Sequence, residues 1–179
     1  MVELFKNPVS LVSDFFMKEK LFYTSIETPI GFLNLVSDSD YLLTIAFSDS
    51  PDSSSQILTP ILKETIHQLN EYFSGKRKTF DLKINAAGTE FQHKVWGYVK
   101  NIVFGKTASY LEIAKQTGSE KNTRAVGLAN GKNPIPIIIP CHRIIGSNGK
   151  LTGYAGGLER KRWLLQHELK FTKPTNKLF

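Results

Sequence analysis

The sequence predicts an α+β fold: a small N-terminal antiparallel sheet with one helix, followed by a mostly helical second half containing a helix-turn-helix pattern. Three observations predict it. Short runs of strand formers alternate with turn-rich breaks between Phe22 and Phe47. Apolar residues then recur at helical spacing from Ile57 onward. Formal charge also changes sign along the chain. Residues 1–88 hold eight Lys and Arg against eleven Asp and Glu, a net −3, and residues 89–179 hold fifteen against five, a net +10.

Phe22 to Glu27, Gly31 to Val36 and Tyr41 to Phe47 read as strands, divided by Pro29-Ile30-Gly31 and Ser37-Asp38-Ser39-Asp40. Ser48 to Ser55 reads as a polar loop. Ile57, Leu58, Ile61, Leu62, Ile66, Leu69, Tyr72 and Phe73 form a helical stripe that Gly75 is suited to cap, and Phe80 to Ile84 reads as a late strand. Asn85-Ala86-Ala87-Gly88 is the expected connection. It divides the chain into 1–85, a linker at 86–88, and 89–179.

Beyond it, Thr89 can cap a helix carrying Phe91, Val95, Trp96, Val99 and Ile102. Ser109 can cap the next, with Leu111, Ile113 and Ala114 inward and Gly118 at its end. A turn at Ser119 to Asn122 leads into a second helix, Thr123 to Asn130, completing the helix-turn-helix. Apart from Arg124, this second helix is made almost wholly of small residues. They suit close helix packing first, and after it close approach to a narrow groove with Arg124 as the long probe. Pro134, Pro136 and Pro140 impose an extended path towards Cys141. Ser147-Asn148-Gly149 is a hairpin-type turn, Gly153 to Gly157 is a flexible segment fit to line a pocket, and Leu158 to Glu168 returns to helical spacing.

Composition sets further bounds. The 179 residues suffice for one domain or two small ones. A single cysteine excludes an intramolecular disulfide and a multi-cysteine zinc site, and fits a reducing compartment. Met1 to Lys20, interrupted by Lys6, Pro8, Asp14 and Lys18, resembles neither a signal peptide nor a membrane span. The basic second half suits a polyanion such as nucleic acid, although solvated lysines alone give the same count.

The lone thiol stands in Ile-Ile-Ile-Pro-Cys-His-Arg-Ile-Ile, Ile137 to Ile145. Positive charge from His142 and Arg143 is expected to lower its pKa and make it reactive. The competing reading is a small buried core residue. Residues alone leave both open.

The stretch Asn133 to Ile145, with Gly153 to Leu158 and Lys-Arg-Trp-Leu-Leu-Gln-His-Glu at Lys161 to Glu168, resembles the O6-alkylguanine-DNA alkyltransferases, also called methylated-DNA–protein-cysteine methyltransferases. Phe91 to Trp96, Ala108 to Tyr110 and Arg124 to Gly127 fit the same family. The match spans the basic half; residues 1–85 fit loosely, as the family's ribonuclease H-like structural domain.

The resemblance implies a winged helix-turn-helix-like DNA-binding motif and stoichiometric repair of O6-alkylguanine in duplex DNA, with O4-alkylthymine as a further candidate lesion. It implies base flipping from the minor groove, no cofactor, no metal, a monomer, no membrane, and a cytoplasmic, nucleoid-associated setting (nuclear in a eukaryote). Carried over residue by residue, Cys141 is nucleophile and alkyl acceptor, His142 a water-mediated base, Glu168 its orienting partner, Tyr110 the proton donor to guanine and Asn133 a brace. Arg124 is the finger, and Ala125, Ala129, Tyr154, Ala155 and Ile144 line the DNA or the flipped base. Ala155 stands where some relatives carry serine, so only its backbone N–H could serve O6. Two other classes are weighed against this one. A lesion-binding sensor would not need the thiol. A cysteine hydrolase would need a histidine better placed than one adjacent in sequence.

Overall fold

The computed structural model describes residues 20–51 and 57–172. The expectations for the N-terminal segment, and half of the polar loop at 48–55, lie outside the described residues. Strands β1 (Phe22–Thr28), β2 (Gly31–Ser37) and β3 (Leu42–Ser48) form an antiparallel sheet in the order β1-β2-β3. The β1–β2 register runs from Phe22 opposite Ser37 to Thr28 opposite Gly31, which leaves Pro29 and Ile30 as a two-residue turn. Gly31 closes it at φ +96°, a conformation that favours glycine. Alternation places Leu33 and Leu35 of β2 inward, with Leu42 and Ile45 of β3.

Helix α1 (Pro60–Phe73) lays Ile61, Leu62, Thr65, Leu69 and Tyr72 on that face. It starts later than the apolar stripe suggests: Ile57 and Leu58 are exposed, and Thr59 is the cap, its side chain accepting the Leu62 N–H. Pro60 explains the shift. Its ring suits the first helical position and forces Thr59 into extended geometry. The expected strand at Phe80 to Ile84 reduces to one bridge, with Leu42 donating to Lys83 O and Asn85 to Leu42 O, both at 2.9 Å. The Gln68 side chain bonds both backbone groups of Asp81 and so satisfies what a ladder would have paired.

The second half contains α2 (Glu90–Lys100), β4 (Ala108–Ser109), α3 (Tyr110–Gln116), α4 (Thr123–Gly131), β5 (Ile144–Ile145) and α5 (Leu158–Thr172). Thr89 with Gln92, and Ser109 with Glu112, form reciprocal capping boxes. A 3-10 turn, Glu120–Asn122, joins α3 to α4, completing the helix-turn-helix. Strand β4 pairs β5 in parallel, Ala108 opposite Ile144. Buried residues of both halves share one core, from Leu33 and Tyr72 through Val95 and Ile113 to Ile139 and Leu164. The Ile45 N–H on β3 also reaches Pro134 O at 2.9 Å, tying the sheet to the proline-rich stretch.

Candidate active site

The three prolines do not deliver Cys141 on an extended strand. Residues 134–140 fold back on themselves, with Ile139 N–H on Ile135 O at 2.9 Å, and Cys141–Arg143 form a 3-10 turn. Asn133 braces the bend. Its Oδ1 accepts the Ile135 N–H at 3.0 Å, and its Nδ2 donates to Ile139 O at 2.8 Å and to Cys141 Sγ at 3.0 Å. Ile137, a β-branched residue, is held at φ +74°. Such a conformation costs about 1–3 kcal/mol and persists only where the surroundings enforce it.

Cys141 is 3% exposed. Burial pushes its thiol up to about 11, against the Asn133 hydrogen bond, the Lys161 charge and the backbone N–H groups of Cys141 and His142. The expectation that His142 and Arg143 would lower it is therefore corrected. Both side chains spend their donors on Glu168 rather than on the sulfur. His142 Nε2 lies 2.7 Å from Glu168 Oε1, and the Arg143 guanidinium meets both carboxylate oxygens while donating to Ile102 O at 2.6 Å.

Glu168, on α5, has no exposed surface. It also accepts Tyr72 Oη at 2.9 Å and the Gly105 N–H at 2.8 Å. Burial opposes its charge, but hydrogen bonds and charge from His142 and Arg143 outweigh burial and hold it at about 2. Burial likewise pushes His142 down, so the imidazole is neutral near pH 7 and the permanent charge facing Glu168 is that of Arg143. An ionised carboxylate only accepts, which puts the imidazole proton on Nε2. Nδ1 is then a free lone pair, buried and without a hydrogen-bond partner.

Lys161, whose charge acts on the thiol, is a residue that the sequence reading did not single out. It is fully buried, one turn into α5, with Nζ on Ile144 O at 2.6 Å and Thr152 O at 2.7 Å. Burial lowers it to about 8 while the proximity of Cys141 raises it. A signal existed: Lys161, Leu164 and Glu168 fall at i, i+3 and i+7, one face of the helix. Tyr72, from the other half, carried no such signal.

The remaining residues sort onto two surfaces. Arg124 and Ala125 are exposed on α4, joined there by Leu128, 62% exposed. Tyr110 is half-buried at the start of α3, its ring about van der Waals distance from where a Cβ on Gly127 would stand. Ala129 turns the other way: it is buried, and its carbonyl accepts the Trp96 indole N–H at 2.9 Å, so its side chain lies off the outward face expected for it. Near the thiol, Tyr154 Oη is buried without a hydrogen-bond partner and Ala155 is exposed. Cys141 O already accepts Asn130 Nδ2 and the Ile144 N–H, and Ile144 O accepts Lys161 Nζ. Among the described residues no three His, Cys, Asp or Glu side chains gather as a metal site, and no helix is long and apolar enough to cross a membrane.

The high thiol pKa has a kinetic signature. Without DNA, the rate of Cys141 carboxamidomethylation by iodoacetamide should climb about tenfold per pH unit from 7 to 9, because the thiolate fraction does so below the pKa. A plateau near the ordinary thiol value of about 8.5 would contradict the burial effect. Glu168→Gln should cost about 3–5 kcal/mol in urea unfolding, because it leaves the Arg143 guanidinium buried and unpaired.

Comparison with known proteins places both halves of the chain in a family. Residues 90–170 match the family described as 6-O-methylguanine DNA methyltransferase, DNA binding domain, and residues 21–86 its ribonuclease-like domain. The methylated-DNA–protein-cysteine methyltransferase of Methanosarcina acetivorans is 47% identical over 154 residues, covering 83% of this chain and 98% of that one. The constitutive Bacillus subtilis protein of the same name is 43% identical over 156 residues, covering 82% and 94%. The crystal structure of Mycobacterium tuberculosis O6-methylguanine methyltransferase superposes with a TM-score of 0.77 at 42% identity, covering 88% of this chain and 97% of that chain. Its complex with DNA gives 0.75 at 45% identity, covering 83% and 93%. With matches spanning both halves and a solitary cysteine in the Pro-Cys-His-Arg setting, the chain belongs to the 6-O-methylguanine DNA methyltransferase family.

Proposed function

We propose that this protein repairs O6-alkylguanine in duplex DNA by irreversible, stoichiometric transfer of the alkyl group to Cys141. The observation that carries the reading is the pairing of a buried thiol with a neutral His142 whose free Nδ1 is set by the Glu168 contact. His142 takes the thiol proton through a bridging water. The thiolate attacks the alkyl carbon, the S–C bond forms as the C–O6 bond breaks, and the electron pair passes to guanine. Tyr110 gives its hydroxyl proton to guanine N3 and recovers one from the relay, so thiol and alkylguanine become thioether and guanine. A thioether is not reversed by thiol exchange, which makes each molecule single-use.

Asn133 supports this by holding sulfur and bend together, and Lys161 supplies positive charge for the developing thiolate. The α4 face with Arg124, Ala125 and Leu128 enters the minor groove, Arg124 filling the place of the flipped base. Ile144 O receives the guanine amino group, and Tyr154 with the Ala155 backbone covers the ring. Residues 1–85 act as a structural domain, 86–88 as linker and 89–179 as the DNA-binding, alkyl-accepting unit. The protein works as a monomer, without cofactor or metal, beside chromosomal DNA in the cytoplasm.

Incubation with an oligonucleotide carrying one O6-methylguanine should add one methyl mass to the peptide containing Cys141, with one equivalent consumed per lesion. Cys141→Ala should bind the lesion and show no adduct; an unmodified wild-type protein at stoichiometric DNA would sink the reading. Arg124→Ala should slow repair of duplex DNA at least about tenfold, the price of losing a few kcal/mol of flipping assistance. The same variant should react with free O6-benzylguanine as fast as wild type, and equal losses on both substrates would remove Arg124 from the finger role.

A further inference from the structure

The segment at 153–157 is held from both ends by neighbouring residues of α5. Lys161 fixes its start through Thr152 O. Arg160 fixes its end: Nη1 donates to Gly156 O at 3.2 Å, Nε to Ile30 O in the β1–β2 turn at 2.8 Å, and Nη2 meets the Asp49 carboxylate. Beneath the guanidinium lies Phe47 of β3, its ring centroid 5.5 Å away. Phe47 touches the segment twice. Its ring stands 5.6 Å from that of Tyr154, and a Cβ on Gly156 would approach it to 2.6 Å, so no larger residue fits there without displacing it. The Asp49 carboxylate is 95% exposed, so the ion pair holds little; the carbonyl bonds and the Phe47 stack hold more.

Tyr154 is thus backed by the N-terminal sheet on one side, while its buried, unpartnered hydroxyl lies within electrostatic reach of Cys141. From this geometry we propose that Phe47 and Arg160 are positioning residues for alkyl transfer: the N-terminal sheet is the outer wall of the site and, through Tyr154 and Gly156, sets how large an alkyl group fits beside Cys141. The inference rests on the reaction proposed above and gives the first half of the chain a part in choosing the lesion. Neither residue touches reacting atoms.

The test compares transfer rates from one duplex carrying either O6-methylguanine or O6-benzylguanine, for wild type, Phe47→Leu and Arg160→Lys. Leucine leaves slack behind Tyr154. A misplacement of about 1 Å can cost about 10²-fold in rate, so methyl transfer should fall about tenfold or more. Benzyl transfer, which gains room, should change less than about twofold, raising the benzyl-to-methyl ratio about fivefold. Arg160→Lys keeps the charge but loses the planar fork, and should move the ratio in the same direction. A loss of folded protein lowers both rates by one factor and leaves the ratio alone, so the ratio separates positioning from stability. An unchanged ratio in both variants overturns the proposal. A wild-type protein that accepts neither group overturns instead the reaction on which it rests.

Discussion

A carboxylate with no exposed surface has to be matched by donors, and at Glu168 the donors come from the parts of the chain that must be held around Cys141. Tyr72 arrives from α1, Gly105 from the loop after α2, and His142 and Arg143 from the turn that carries the thiol. Losing any one leaves charge or polarity stranded in the core, at a cost of about 1–3 kcal/mol for a neutral donor and more for the guanidinium. The site geometry is therefore as stable as the packing of both halves around that carboxylate. The same contact decides the tautomer of His142, so an element of stability is also an element of chemistry.

The thiol itself is kept quiet. A buried sulfur near 11 is almost wholly protonated at neutral pH, which protects a single-use nucleophile from oxidants and stray electrophiles. In the reaction proposed above, activation belongs to the bound complex, where the lone pair of His142 Nδ1, the Asn133 amide and the Lys161 ammonium would act together. The bend that presents the sulfur is under load at Ile137, whose left-handed backbone is enforced by the prolines, the Asn133 bonds and complete burial. Strain of this kind is kept where position matters more than local comfort.

The halves of the molecule are not independent neighbours. They share a core, and Arg160 clasps the β1–β2 turn and the segment at 153–157 together. Against that shared core, α4 offers an outward face of small residues plus Arg124 and Leu128. Its opposite face, with Val126 and Ala129, is committed to the core.

Sequence by itself determined the local structure. Alternation set the three strands, Thr89 and Ser109 the helix starts, and Gly31 and Gly75 the turn and the cap, because each depends on the chemistry of a few adjacent residues. It also singled out Cys141 and, through resemblance, its partners in the Pro-Cys-His-Arg setting. Where Pro60 intervened, or where Gln68 satisfied the backbone of Asp81, neighbour-based reading misplaced a helix start and a strand. What only the tertiary structure decided was the electrostatics: which way His142 and Arg143 point, that the thiol is raised rather than lowered, that Ala129 faces inward, that Tyr72 bonds Glu168, and that the Lys161 charge lies near Cys141. Those outcomes depend on burial and on partners up to 96 residues away, as between Tyr72 and Glu168, and no local pattern encodes the dielectric in which a charge will finish.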